Sequence, residues 1–474
     1  MLDALFFSQI STRVRVAALL QAIYHVNINN QSSFMKKQFL LLIALCFSAV
    51  SYAQMNQIEF TEYTLDNGLH VILHQDKSTP IVAVSVMYHV GSKNENPNRT
   101  GFAHFFEHLL FEGTENIERG EYDKYVESAG GTLNANTSND RTYYYEILPS
   151  NQLELGLWLE SERMLHAKVE QVGVETQREV VKEERRQRVD NQPYGSVVEE
   201  SMKRAFKQHP YRWPVIGSMD HLDAAVEADY KQFYKDFYTP NNAVLSIAGD
   251  LDIESTKAMI EKYFGAIPVK TKDVYRPAIV EPPLGGEVRD TVYDNVQLPA
   301  VIMTYRVPAL GTDDYYAVDM LSKLLSQGQS SRLYKSLVDE QQKALFVGNF
   351  PFDMEDPGVA LAFGITNMGV SVVDLEKAID EQIALVQNEA IGDKEFQKLR
   401  NQIESDFVQS NSRVAGIAES LANYHMYLGD ANLINTELDR YLKVTKEDIM
   451  RVAKQYYNKD NRVVLHYLPK PNNP

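Results

Sequence analysis

His104, Glu107 and His108 lie in the run GFAHFFEHLLFEG at 101–113, and their types and spacing suit one kind of chemistry. On a helix, residues three and four apart are neighbours, so both imidazoles can aim at one point with the carboxylate beside them. Neutral imidazole ligands, a coordination position left for water and a nearby carboxylate are what zinc-assisted hydrolysis needs. The surrounding residues are Phe, Ala and Leu, among which two histidines and an acid are costly to bury without partners. A metal ion would satisfy them. No Gly or Pro interrupts 102–112, so that stretch is expected to be helical.

A third ligand has to come from another element. Residues 174–189, VETQREVVKEERRQRV, also read as a helix. At helical spacing Gln177, Val181, Glu184 and Arg188 share one stripe with Val180 alongside, which turns Glu184 inward and Glu183 further out. A run so rich in Glu and Arg is ordinarily a solvated face. A carboxylate is nevertheless what two histidines lack for a His2Glu zinc site.

The elements around these residues alternate strand and helix. The stretches 60–76 and 79–92 read as strands joined by turns at Asp66-Asn67-Gly68 and near 76–80. His70 and His74 share one sheet face there and are expected at a solvated or rim position rather than on a metal. A short helix is expected at 122–129 and longer ones at 151–170 and 230–238, with a strand at 243–248 behind the last. Gly130-Gly131 introduces a strand of little bulk at 132–137, followed by the aromatic strand 142–148. The first of these is either an edge able to pair with an extended peptide or one arm of an ordinary hairpin.

The second half repeats the first. FAHFFEHLLFEG at 102 aligns with YAVDMLSKLLSQ at 316, an offset of 214, and the segment from Asp229 aligns with that from Asp448, an offset of 219. Such a long period marks a duplicated domain and not a solenoid. In the second copy Val318, Leu321 and Ser322 replace the three polar residues, so that copy cannot hold zinc.

The length of 474 residues and the 44% hydrophobic content suit several globular domains, and the net charge of −17 argues against nucleic acid or an anionic membrane as the main partner. Residues 35–53, MKKQFLLLIALCFSAVSYA, carry a basic start, an apolar core shorter than a membrane span, and a small-residue cleavage site after Ala53. They read as a signal peptide, which implies export to the periplasm or beyond. The 34 residues before them read as an over-extended start or a leader. Cys46 is the only cysteine, so thiolate zinc and disulfides are both excluded after cleavage.

Taken together, the HFFEH helix, the carboxylate following after a long gap, the GGTLNANTS strand, the HPY…IG stretch at 209–217 and the duplication resemble the pitrilysin/insulysin family of zinc peptidases, in its branch of half-length subunits. The resemblance covers about 57–470. It implies an α+β fold of two tandem homologous domains, each a mixed, mostly antiparallel sheet covered by helices on one side. Expected boundaries are 57–268 for a catalytic zinc domain, 269–286 for a linker, and 287–470 for an inactive homologous domain. The resemblance further implies one Zn2+ per chain on His104, His108 and Glu184, with Glu107 as general base. Asn134, Ala135 and Asn136 would receive the substrate backbone. Gln177 stands where the family often has a glutamate, and its amide could orient a ligand.

In the family, two such pairs of domains close around a peptide, and the inactive half-shell presents an arginine and a tyrosine to the substrate. Val338 and Leu345 stand at those places here. The expected function is therefore an exported zinc endopeptidase acting on peptides or unfolded segments. Its expected partner is a zinc-free homologous subunit, a homodimer being the alternative assembly. The rival function is a structural or assembly subunit of a larger complex that keeps a metal site.

Overall fold

The computed structural model describes residues 57–471, so the segments expected to be a leader and a signal peptide lie outside the described residues. From Ile58 onward the chain forms one unit. Six strands rich in β-branched and aromatic residues build the first sheet: β1 (Thr61–Thr64), β2 (His70–Gln75), β3 (Ile81–Tyr88), β4 (Thr132–Thr137), β5 (Thr142–Pro149) and β6 (Ala243–Gly249). Their order is β1-β2-β6-β3-β5-β4, with β2 and β6 parallel and all other pairs antiparallel. The second sheet comprises β7 (Val288–Asp294), β8 (Ala300–Arg306), β9 (Ala344–Pro351), β10 (Val359–Thr366) and β11 (Arg462–Pro469). Its order is β7-β11-β8-β10-β9, and again a single pair, β7 with β11, is parallel. Apart from β1, the second sheet repeats the first strand for strand. Two tandem homologous α+β domains are thus the architecture.

The first half carries helices α1 (Phe102–Leu109), α2 (Tyr122–Ser128), α3 (Leu153–His166), α4 (Gln171–Arg185), α5 (Val197–Ala205), α6 (Met219–Ala224), α7 (Glu227–Phe237) and α8 (Ile253–Phe264). The second carries α9 (Asp313–Ser326), α10 (Val372–Asn388), α11 (Asp393–Ser410), α12 (Val414–Leu428), α13 (Leu433–Lys443) and α14 (Lys446–Tyr456). Between Phe264 and Val288 the described chain has no regular element. Several boundaries differ from the sequence reading. The helix expected at 151–170 stops at His166, because Ala167 turns extended and bridges Thr114. The one expected at 174–189 starts three residues earlier, at Gln171, and passes into a π-helical turn, Arg186–Asp190.

One face of each sheet packs on helices of its own half, with α1, α3, α7 and α8 on the first and α9, α10 and α14 on the second. The other face is covered too, unlike the one-sided cover that the resemblance implied. Strands β3 and β6 are buried at nearly every position, so both of their faces need apolar partners. Those partners are exchanged between the halves. Ile417, Ala418, Leu421 and Ala422 of α12 pack on Ile72, Ala83, Met87 and Val244 of the first sheet. Val197, Met202 and Ala205 of α5 pack on Ala300, Ile302, Leu361 and Leu465 of the second.

A buried charge cluster reinforces this exchange. Lys93 of the first half is 3% exposed and reaches Asp140 at 2.8 Å, and Glu355 and Asp356, both in the β9–β10 turn of the second half. Tyr211 donates to Asp140 at 2.7 Å, and His89 lies 2.9 Å from Glu355. Burial alone would raise the Glu355 carboxyl, but His89 and Lys93 outweigh it and hold it down at about 2, against an ordinary value of 4.5. A carboxyl held lower in the folded than in the unfolded chain stabilises fully above the unfolded value, and that stability is lost as pH falls through the folded one. Glu355→Gln is therefore expected to lower the urea midpoint most at pH 6, and the gap to wild type is expected to close between about pH 4.5 and 2. Urea titrations of both proteins across that range check it. A gap independent of pH would remove Glu355 from the lock.

Candidate active site

Helix α1 lies in the first core with Phe102, Ala103, Phe105, Phe106 and Leu109 at 3% exposure or less. It is pinned at both ends. At the N-terminus the buried Glu95 carboxylate accepts from the Gly101 and Ala103 amides at 2.9 and 2.8 Å. Burial pushes its carboxyl up to about 8, although these amides favour the ionised form. Gly101 has φ 95°, and a Cβ there would stand 2.8 Å from the Ile216 carbonyl oxygen, so the HPY…IG stretch packs directly on this helix start. At the other end Arg163, 1% exposed, donates to the Leu110 carbonyl at 3.0 Å, and Tyr144 donates to the Phe106 carbonyl at 2.9 Å. The helix ends at Leu109, short of the expected 112, where the bonding tightens to i→i+3: the Phe111 and Glu112 amides donate to the His108 and Leu109 carbonyls at 3.1 and 3.0 Å. The Arg163 guanidinium at the C-terminus is also of the sign that the helix dipole favours.

The remaining face of α1 carries His104 and His108, whose Nε2 atoms lie 3.3 Å apart. Glu184 of α4 meets them, its Oε2 being 3.4 Å from His104 Nε2 and 3.1 Å from His108 Nε2. A tetrahedral zinc with ligands at about 2.0–2.1 Å sets its donor atoms about 3.3 Å apart, so this triangle fits one ion. Glu184 Oε2 is buried and makes no hydrogen bond among the described residues. Burial first, then the neighbouring His108, lowers His104 to about 4, which keeps it the neutral ligand that a metal requires. The His108 imidazole, 3.1 Å away, holds Glu184 below the usual carboxylate range, while burial raises Glu107.

The α4 register agrees with an inward Glu184. Val174 and Val181 are 2% and 0% exposed, and the Glu184 side chain is 15% exposed. The Glu183 side chain is 53% exposed and is spent on Arg186 and Gln187. Val180 corrects the sequence reading: it is 42% exposed and does not mark the inward face. One turn beyond Glu184, in the π-helical segment, Arg188 pairs with Oε1 and so leaves Oε2 to the histidines. Gln177 donates to Glu112 and to none of the three clustered residues. Glu95, Arg163 and Tyr144 escaped the sequence reading, since each acts on the α1 backbone from a distant segment and no spacing announces it.

Residues 70–218 match the family Insulinase (Peptidase family M16), and residues 226–403 match its Peptidase M16 inactive domain. Over 431 residues the chain is 32% identical to a Helicobacter pylori protein named zinc protease PqqE, covering 90% of this chain and 96% of that one. The chain belongs to the M16, insulinase-like, peptidase family. A solved protease from Helicobacter pylori superposes with a TM-score of 0.83 at 31% identity, over 87% of this chain and all of that one. The periplasmic protease PqqL from Escherichia coli shares the fold at a TM-score of 0.70 and 18% identity, and this chain spans 48% of its length.

Within this M16 chain, Asn134, Ala135 and Asn136 sit on β4, which among the described residues ends the first sheet and pairs only with β5. Asn134 and Asn136 point to solvent, while Ala135 packs toward the core that holds α1. In the second half Val318 and Leu321 are 1% and 0% exposed in α9, and Ser322 lies 3.2 Å from the Tyr457 hydroxyl, so the equivalent helix is an ordinary core element. The geometry makes a sharp contrast between two adjacent glutamates. Glu184→Gln is expected to weaken zinc binding by more than ~10-fold, whereas Glu183→Gln leaves it within about twofold of wild type. Zinc titration against a competing chelator measures both, and the reverse ranking would move the ligand to Glu183.

Proposed function

We propose that this chain is the metal-bearing subunit of an exported zinc endopeptidase that cleaves peptides or unfolded polypeptide segments. The observation that carries this reading is the triangle of His104, His108 and Glu184 with Glu107 next to it on the same helix face. His104, His108 and Glu184 would hold one zinc ion, which when bound supplies Lewis acidity that makes water a competent nucleophile near neutral pH. Glu107 takes the proton of the attacking water and delivers it to the leaving amine, a task suited to a carboxyl whose affinity for protons burial has raised. The open edge of β4 orients the substrate, its backbone adding as a strand beside 134–136. Arg188 keeps Glu184 in register from outside the cluster.

Export rests on the sequence of 35–53, and the name of the periplasmic M16 neighbour PqqL is in keeping with it. No helix among the described residues is long and apolar enough to cross a membrane. Glu107→Gln is expected to retain one zinc per chain and lose peptidase activity by ~10²–10⁴-fold, because it removes the proton acceptor and leaves all three ligands. Metal analysis with a peptide-library assay reads both quantities. Activity within a few-fold of wild type would remove Glu107 from the role of general base.

The working enzyme in this proposal is a heterodimer with a zinc-free homologue. Leu345 lies 54% exposed on β9, and Val338 packs against the second core, so neither offers a polar contact to a substrate. The partner would bring the missing donors. The purified chain is expected to be poorly active alone and to gain ~10²-fold when the homologue that co-purifies with it is added. Full activity from a homogeneous homodimer would overturn this assembly.

A further inference from the structure

A second group of metal-ligating side chains comes together where the two halves meet. Glu62 on β1, His70 on β2 and His425 in the last turn of α12 each offer one donor atom, all within 4.8 Å of one another. The two rings are stacked, with centroids 3.4 Å apart and planes inclined by 6°. Both face the same carboxylate oxygen: His70 Nε2 is 3.1 Å and His425 Nδ1 4.0 Å from Glu62 Oε2. The sequence reading placed His70 and His74 at a solvated or rim position rather than on a metal. In the structure α12 covers β2, His74 is spent on the Glu59 carbonyl at 2.7 Å, and His70 gains Glu62 and His425.

We propose that Glu62, His70 and His425 form a second site for a divalent transition-metal ion, zinc or a borderline ion of similar preference, which ties α12 of the second half to the first sheet. Two imidazoles and one carboxylate without a thiolate are a donor set for such ions and a poor one for magnesium or calcium. A purely protein-made arrangement satisfies these groups only in part. His70 can donate to Glu62, with Thr64 Oγ1 on its other nitrogen at 3.1 Å, but His425 stops short of hydrogen-bond range.

Parallel rings point their lone pairs side by side, and binding requires them to tilt apart about χ2, a soft torsion in histidine. The Glu62 side chain is 43% exposed and free to close on the ion. A cavity of about 180 Å³ adjoins the two histidines and leaves room for water to complete the coordination shell. Arg276 on its wall is turned onto Asn242.

The test uses the full chain with His104→Ala and His108→Ala, so that the first site cannot bind. Zn2+ and Co2+ are the probes. This variant is expected to bind one equivalent in calorimetry, to give the visible Co2+ absorption of a low-coordinate site, and to melt about 3–5 °C higher at metal ~100-fold above its dissociation constant. Adding His425→Gln or His70→Gln is expected to abolish binding and the shift. Glu62→Gln, at an exposed position that folding tolerates, is expected to weaken binding by at least ~10-fold. The site is ruled out if the double variant binds no ion, or if its binding and melting shift survive Glu62→Gln and a folded His425→Gln unchanged. The outcome is independent of whether the first site is catalytic.

Discussion

The structure depends on holding one short helix by its apolar residues deep in a core while its remaining face presents two imidazoles and a carboxylate. Eight residues of helix have little stability of their own, and α1 gets its fixed position from groups outside it. The Glu95 carboxyl accepts from its amide end and the Arg163 guanidinium donates to its carbonyl end, both buried, and the guanidinium is of the sign that the helix dipole favours. Arg163 is itself held by Glu160 at 3.1 Å and lies over the rings of Phe111, Tyr122 and Tyr144. Burying these charges is costly alone, and each is tolerated because its polar atoms are met. Together they fix where His104 and His108 stand relative to Glu184 on a different helix, and a ligand set tolerates little error in that spacing.

The second constraint is that each sheet is apolar on both faces. A half-length piece of this chain would leave one face of its sheet in water, since α5 covers the sheet of the second half and α12 that of the first. The exchange explains why a half with no metal chemistry of its own persists as folded structure. Its α9 is still a core helix, with Asp319 and Lys323 where α1 has Phe105 and Leu109, and with Val318, Leu321 and Ser322 in place of His104, Glu107 and His108, which removes any need for a compensating ion. That half contributes packing, and the cluster in which Lys93 and Asp140 meet Glu355 and Asp356. The same seam brings Glu62 and His70 against His425.

Much of this was legible from residue order. The H-x-x-E-H spacing places two histidines on one helix face wherever that helix sits, and the stripe through Val181 selects Glu184 over Glu183, because both follow from 3.6 residues per turn. The duplication was legible for a similar reason, since two copies of one pattern fold into two copies of one sheet. Periodicity is a local property, and these are local conclusions. What tertiary structure alone decided is everything that joins distant segments: the end of α1 at Leu109, the roles of Glu95 and Arg163, the exposure of Val180, the pairing of Gln177 with Glu112, and the exchange of α5 and α12. His70 shows the reason most clearly. On its own strand it reads as a rim residue, and only the arrival of α12, more than three hundred residues later in the chain, gives it a buried face and a second imidazole.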